Sequence, residues 1–433
     1  MSKPSSHIAR EMRFMERGSY DTIVIGGGPG GLAAATKAKE LGMRVLLLEN
    51  RDMLGGIPLQ CVHPGFGLHY FKEDLTGTEF IYRFIDKFEK LGVEGYTRAH
   101  LLEIELVSDV EKRLRVATPN GIKKFETKSI IYTTGARERH IFEIGITGNR
   151  VPGIFTAGEA QTMMDIYGIM PGKEILILGS GDVGLIMARR FALEGAIVKG
   201  VIEIMPFPGG LTRNVVQCLQ DFGIPLYLSH AVTRIEGTKR VERAIICEVT
   251  EDLRIKEGTE REIKCDTVVV AAGLVPYIKI LEKIGVTKDE ATKGPIVNDH
   301  LETSIPGIFT AGNALVINDL VDFVVEQGEE AALGALEFVE KGGIPTKRWR
   351  RIVRGRNIRL VIPHYVSGER DVMIYARVSK PEENVKVRFP EIGKEVKLQV
   401  VKPAEMIRLK LKKEEIGKAR DKITMEVVKD ERD

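Results

Sequence analysis

Apolar residues fall in short uninterrupted runs over the first three-quarters of the chain and alternate with polar ones over the last quarter. Thr22–Ile25 and Val45–Leu48 read as strands buried on both faces of a parallel sheet. The stretch between them, holding Ala33, Ala34, Ala35 and Ala38, reads as the connecting helix. The same order returns with Glu174–Leu178 as strand, Leu185–Leu193 as helix and Val198–Ile202 as strand. Two further apolar runs, "SIIYTTG" ending at Gly135 and "TVVVAAG" ending at Gly273, add a strand to each unit. From about Gly342 the period becomes two, in "NIRLVIPHYV", "DVMIYARV", "NVKVRF", "EVKLQVV" and "MIRLKLK". That alternation predicts a small antiparallel β domain with one face in water.

The two strand–helix–strand units are related by a repeat. "VPGIFTAGEA" (Val151–Ala160) and "IPGIFTAGNA" (Ile305–Ala314) share seven consecutive residues at an offset of 154. "GGGPGG" (Gly26–Gly31) returns as "GSGDVG" (Gly179–Gly184) at an offset of 153. Glu49, Gly55 and Gly56 return as Glu203, Gly209 and Gly210 at 154. Landmarks in one order at nearly one spacing point to a duplicated unit.

Composition bounds the remainder. At 433 residues the chain exceeds what a single core fills, so two or three domains are expected. The net charge of +3 is small but unevenly spread: residues 347–433 carry 24 basic and 14 acidic groups, leaving 40 and 47 elsewhere. Four cysteines without CxxC spacing make neither a disulfide scaffold nor a zinc site, and no metal is expected. Met1–Tyr20 has no apolar core of a signal peptide, and no apolar run is long enough to span a bilayer. A cytoplasmic protein without a membrane span is expected. The basic run "KRWRRIVRGR" has too little aromatic interleaving for a nucleic-acid partner. It reads as a solvated linker or as a surface that docks another protein.

Each unit carries the chemistry of a dinucleotide site. Gly26, Gly28 and Gly31 follow a strand and open a helix, together with Pro29 and Gly30. Such glycines permit a tight turn, close approach of a pyrophosphate, and close packing of helix on strand. The pyrophosphate would lie against the free N–H groups of the helix start. Glu49, eighteen residues after Gly31 and followed by Asn50, is placed to accept both hydroxyls of a ribose. In the second unit the fingerprint is Gly179, Gly181 and Gly184 with Asp182 and Val183, and the acid is Glu203. A carboxylate there repels a 2′-phosphate, and Ile204–Phe207 supply no arginine to receive one, so NAD(H) is expected over its phosphorylated form. Arg213 is the nearest candidate to fold back.

Two such units about 150 residues apart, "TTGA" after the first, "AAGLVP" after the second and a final "GIFTAGN" resemble the pyridine nucleotide–disulfide oxidoreductase type of flavoprotein over roughly residues 20–340. The resemblance implies an α/β fold of two Rossmann-like dinucleotide-binding domains followed by the small C-terminal antiparallel β domain. The FAD-binding domain would comprise residues 20–150 and 276–341, the inserted NAD-binding domain 151–275, and the basic β domain 342–433. Gly56, Leu101, Gly135, Gly312 and Asn313 would join the FAD contacts and Gly273 the nucleotide side. The second PGIFTAG would touch the flavin's ribityl and pyrophosphate groups, and the first would be mainly a hinge.

Three departures separate the chain from the disulfide reductases. Asn313 stands where the family has Asp, Ile186 stands where a Glu is common, and only Cys61 is present where a cysteine pair belongs. The dithiol relay is missing. The segment "QCVHPGFGLHYF" and the extra C-terminal domain are similar to flavoprotein subunits of opine, proline and glycerol-3-phosphate oxidising complexes. Partners of that kind would be a substrate-oxidising flavoprotein and a small iron–sulfur protein, in an oligomer. The expected function is an FAD-dependent NADH:acceptor oxidoreductase within such a complex. The alternatives are a stand-alone NADH oxidase or peroxide/persulfide reductase using Cys61, and a non-catalytic flavin-binding scaffold. Cys61 and His63 are the candidate catalytic residues, Cys61 as a low-pKa thiol and His63 or His69 as a proton donor to flavin. Cys218, Cys247 and Cys265 read as structural.

Overall fold

A computed structural model describes residues 19–345 and 348–430. Residues 1–18, where no signal peptide is expected, and Lys347 of the basic run lie outside the described residues.

The first unit is built on a parallel sheet. Ser19–Ile25 pairs with Val45–Leu48, Ile23 opposite Leu46, and Glu94–Tyr96 lies beyond. On its other side Ser19–Ile25 pairs with Gly121–Tyr132, and Ile308–Thr310 closes the parallel part. Gly121–Tyr132 runs for 12 residues because its first half serves a second purpose. There it is the antiparallel partner of Glu111–Thr118, which pairs in turn with His100–Ser108. Helices Pro29–Glu40 and Val321–Lys341 cross at Gly30 and Gly328. A Cβ on Gly328 would sit 2.3 Å from the Gly30 carbonyl oxygen, so the crossing admits no side chain there.

The second unit repeats the plan. Ile154–Thr156, Thr267–Val270, Glu174–Leu178, Ile197–Ile202 and Leu226–Tyr227 form an all-parallel sheet in that order. A second layer of Thr147–Gly148, His230–Gly237, Val241–Glu248 and Arg261–Lys264 packs on it through Ile235, Ile246 and Leu176. The chain crosses between units twice, and the crossings pair antiparallel as Ala136–Glu138 and Leu274–Pro276.

The repeated heptapeptide does one structural job twice. Ile154, Phe155 and Thr156 stand opposite Val268, Val269 and Val270, as Ile308, Phe309 and Thr310 stand opposite Ile130, Ile131 and Tyr132. The first copy is therefore an edge strand and not mainly a hinge. Thr156 also accepts the Glu159 N–H and so caps the helix Ala157–Asp165, fixing the chain direction where a hinge would leave it free.

The C-terminal domain is a sandwich. One sheet holds Tyr365–Val366, Arg350–Arg354, Lys422–Lys429, Glu382–Phe389 and Lys394–Val401; the other holds Ile358–Ile362, Val372–Val378 and Ile407–Leu411. Val387, Phe389, Ile374 and Met425 fill the space between them. The expected antiparallel pairing holds except where the last strand inserts beside Arg350–Arg354, Ile352 opposite Ile423 in parallel. The basic run is not a solvated linker. Arg350 donates to the carbonyls of Ala419 (2.7 Å) and Ser367 (2.5 Å), and Arg356 pairs with Glu382 at 2.9 Å. Leu360, Ile362, Tyr375 and Met406 join the core of the first unit, docking the sandwich on it. Among the described residues no helix is long and apolar enough to cross a membrane.

Candidate functional site

The two fingerprints superpose in their local physics. Gly26 and Gly179 have φ of +105° and +101°, which side chains rarely adopt. A Cβ on Gly31 or Gly184 would lie 1.7 or 2.2 Å from the carbonyl oxygen of Gly26 or Gly179, so each helix is pressed onto its own strand. Gly28 and Gly181 are the helix N-caps and neither helix has a capping side chain. Nothing lies within 4 Å of where a Cβ on Gly181 would be. The first-turn N–H groups are thus left for a ligand. Pro29 and Gly30 start the first helix, with no acid in its first turn. Asp182 and Val183 start the second. The Asp182 carboxylate turns to the following segment, accepting from the Leu211 N–H (2.8 Å) and Asn214 Nδ2 (2.7 Å). Burial holds it above the usual carboxylate range despite these bonds.

The paired acids are held alike. Glu49 Oε2 accepts the Gly27 N–H at 2.6 Å and Oε1 the Arg51 N–H at 2.7 Å. Glu203 Oε2 accepts the Ser180 N–H (2.9 Å) and hydroxyl (2.6 Å), and Oε1 the Met205 N–H (2.9 Å). Both are buried. Main-chain donors at matching positions of each unit fix the carboxylate, and its remaining lone pairs are free to accept hydroxyls. Asn50 beside Glu49 is exposed. Gly56 folds back so far that a Cβ on it would lie 3.0 Å from Gly28 Cα. Leu101 is a core residue packed with Tyr20 and Val116.

The second heptapeptide continues into a bonded loop. The Gly312 N–H donates to Gln327 Oε1 at 3.0 Å. Asn313 Oδ1 accepts from the Asn318 N–H (3.0 Å) and Nδ2 (3.3 Å), so this oxygen locks the loop that leads into Val321–Lys341. Gly135 and Gly273 both lie at the crossings: the Gly135 carbonyl accepts the Tyr277 N–H (3.0 Å) and the Gly273 carbonyl the Arg139 N–H (3.2 Å).

Cys61 does not meet the expectation of a low-pKa thiol. It is buried, and burial pushes the thiol up to about 12 against the lowering effect of a contact from Gln161 Nε2 at 3.8 Å. The one charge that acts on it is Asp165, which raises it further. His63 Nδ1 lies 2.9 Å from the Pro64 carbonyl, which can only accept. The neutral ring therefore carries its proton on Nδ1 and a lone pair on Nε2. Burial first, then Arg213 and Arg189, hold His63 below its ordinary value, with Asp165 opposing. His69 packs its ring on Phe323, centroids 5.7 Å apart.

Asp322 is a residue that sequence reasoning missed. Its carboxylate is 1% exposed and accepts the N–H groups of Gly67 (3.3 Å), His69 (3.0 Å) and Tyr70 (2.7 Å). It holds the whole His63–Tyr70 segment against the start of the long helix. Nothing local signals this, since the partners are more than 250 residues away and an acid in a helix's first turn is ordinary. Among the described residues no group of three His, Cys, Asp or Glu is placed to hold a metal.

The donor set fits two dinucleotides: two uncapped helix starts cradled by glycines a Cβ would fill, each with a main-chain-fixed carboxylate at ribose distance in sequence. The family described as pyridine nucleotide-disulphide oxidoreductase matches residues 20–333. The mitochondrial dihydrolipoyl dehydrogenase of Caenorhabditis elegans is 28% identical over 68% of the chain and 63% of its own length. The chain therefore spans less than two-thirds of that relative. An opine oxidase subunit of Agrobacterium tumefaciens (strain Ach5) is 26% identical over 78% of the chain and 71% of its own length. The crystal structure of T. acidophilum thioredoxin reductase shares the fold, with a TM-score of 0.60 at 24% identity over 75% of the chain and 99% of that protein. The chain belongs to the pyridine nucleotide–disulphide oxidoreductase family, whose cofactors are FAD and NAD(P)H.

Proposed function

We propose that the chain is an NADH:acceptor oxidoreductase that holds FAD in its first unit and NAD(H) in its second, as one subunit of a multi-protein dehydrogenase or oxidase. The observation that carries the reading is the matched pair Glu49 and Glu203, each fixed by main-chain donors beside its own glycine fingerprint. FAD held in the first unit would supply hydride exchange with the nicotinamide and onward passage of the electrons. The chain's own work is to bind and align, since hydride transfer needs no acid or base. Gly26, Gly28, Gly30, Gly31, Gly56 and Gly312 cradle the first dinucleotide, and Gly179, Gly181, Gly184 and Gly273 the second. Glu203 takes the adenosine ribose hydroxyls and disfavours a 2′-phosphate by charge. Arg213 does not offset this charge: its guanidinium lies against Gly65 of the other unit.

Membership of a larger assembly is supported by the sandwich, which the dinucleotide chemistry does not require, and by the likeness to the Agrobacterium opine oxidase subunit. A substrate-oxidising flavoprotein and a small iron–sulfur protein are the proposed partners. The thiol-based reading is disfavoured by the burial of Cys61 and its raised pKa. Kinetics with NADH and NADPH test the cofactor assignment: kcat/KM favours NADH, and Glu203→Ala narrows the preference. Equal values for both nucleotides in the unaltered protein would sink it. Purification from its native cells tests the assembly; a chain that emerges active and alone contradicts it.

A further inference from the structure

Positive charge gathers at one end of the C-terminal sandwich. There the basic run lies alongside residues 418–422: the Arg351 N–H donates to the Asp421 carbonyl at 3.0 Å, and Arg351 stands opposite Lys422 in the parallel pair. The next residues of both strands, Ile352 and Ile423, belong to the sandwich core, so Arg351 and Lys422 point to the outer face. Lys418 and Arg420 are exposed beside them. None of these four forms an ion pair with a described residue. Arg350 adds a fifth charge, since its guanidinium bonds to the Ala419 and Ser367 carbonyls and, among the described residues, to no carboxylate.

The acids at this end do not cancel it. Asp421 pairs with Arg348. Glu391, which feels the charge of Lys422, accepts the Thr424 N–H and hydroxyl, both at 2.8 Å. Asp299 lies buried behind Ser367 and is taken by His300. Against the two carboxylates of Asp421 and Glu391 stand the six cations Arg348, Arg350, Arg351, Lys418, Arg420 and Lys422, an excess of four. An adjoining groove lined by Glu369, Arg370, Asp371, Lys412, Lys413 and Glu414 carries both signs equally and is no part of the patch. Farther along the same sheet the charges are matched: Lys386 and Lys397 share Asp430 at 2.7 Å, and Arg388 pairs with Glu395 at 3.0 Å.

We propose that this end of the sandwich docks an acidic protein segment, its carboxylates received by Arg351, Lys418, Arg420 and Lys422. Unmatched cations on an exposed surface steer and orient a partner of opposite charge. A nucleic acid would gain most from aromatic rings that stack on its bases. Trp349, the aromatic residue of the run, instead packs edge-on against His300, centroids 6.4 Å apart. A bilayer would need apolar side chains beside the cations. Among the described residues of the sandwich the large apolar side chain most exposed is Val400, on the strand at the far edge of the sheet. The proposal rests on the reading of the chain as one subunit of an assembly, and it names the surface and the charge of the partner.

Fluorescence anisotropy of labelled decaglutamate titrated with the purified, flavin-loaded full chain at low salt tests it, with oligothymidylate of matched length and phosphatidylserine vesicles as comparisons. The expected result is saturable peptide binding that weakens about tenfold or more when Arg351→Gln, Lys418→Gln, Arg420→Gln and Lys422→Gln are combined. Each pair, Arg351→Gln with Lys422→Gln and Lys418→Gln with Arg420→Gln, should lose part of it. Lys380→Gln with Lys429→Gln, exposed elsewhere on the sandwich, should leave it unchanged. All these side chains are exposed, so every variant should melt as the unaltered protein does. No peptide binding, binding undiminished in the combined variant, an equal loss in the Lys380 and Lys429 control, or tighter binding of oligothymidylate or vesicles would each overturn the proposal. Binding is read without NADH, so failure here is distinct from failure of the NADH reading, and purification from native cells judges membership of an assembly separately.

Discussion

Replacing Asp322 by alanine removes three acceptor contacts at once from a site that is almost fully enclosed. A bond to a charged acceptor contributes about 1.5–3 kcal/mol, and buried donors left unpaired carry their own desolvation cost. Because the three donors share one carboxylate the terms do not simply add, and a loss of about 3–5 kcal/mol is expected. The loss is local to the His63–Tyr70 segment. Native-state hydrogen exchange should therefore show the Gly67, His69 and Tyr70 amides opening about a hundredfold faster or more. Asp322→Asn is the graded control. Its Oδ1 keeps the His69 and Tyr70 bonds, while its Nδ2 faces the Gly67 N–H, so the effect is smaller and falls mainly on Gly67. Exchange at these amides within about threefold of the unaltered protein in the alanine variant would mean that Asp322 does not hold the segment.

Other expectations follow from burial. With its thiol near 12, Cys61 is about one part in ten thousand thiolate at pH 8, so iodoacetamide labels it roughly a thousandfold more slowly than in the urea-unfolded chain. Equal rates, read by mass spectrometry, contradict this. Lys112 is enclosed, donates to the carbonyls of Asp109 (2.5 Å) and Lys128 (3.1 Å), and is lowered to about 8 by burial with Glu302 opposing. Between about pH 8 and the ~10.4 of an unfolded lysine the unfolded chain holds more protons, so stability rises with pH in that window. Lys112→Met should lack the rise, and a melting-temperature difference independent of pH would contradict the assignment. Arg377 donates to the carbonyls of Pro403 (2.9 Å) and Ala404 (2.6 Å) and pairs with Asp319. Arg377→Met should lose about 3–5 kcal/mol and loosen the sandwich from the loop after Asn313, read as faster proteolysis near Ala404; an unchanged digestion pattern contradicts it.

What the sequence disclosed was local or repeated. The fingerprint turns are legible because Gly26 and Gly31, or Gly179 and Gly184, meet their constraints within five residues of chain. The recurrence of the heptapeptide marks a duplicated unit, but the strand partners are not equally spaced: Val268–Val270 follows the first copy and Ile130–Tyr132 precedes the second. What depended on distant contacts was not legible. The first PGIFTAG reads as a hinge in sequence because its partner Val268–Val270 lies more than 100 residues on. The basic run reads as a linker because the acceptors of Arg350 are carbonyls at Ser367 and Ala419 that no pattern near it announces. Cys61 has a family position consistent with reactivity, but its burial is set by Gln161 and the helix Ala157–Asp165 of the other unit. Asp322 has no local sequence signal.

Direct hydride transfer requires the chain to align a nicotinamide with a flavin. Anaerobic stopped-flow mixing with NADH, and with NADH deuterated at the transferring position, reads that alignment. The flavin band should bleach rapidly, and more slowly with the deuterated nucleotide. A flavin that stays oxidised in the presence of saturating NADH, or bleaches at a rate insensitive to deuterium and to Glu203→Ala, would contradict it.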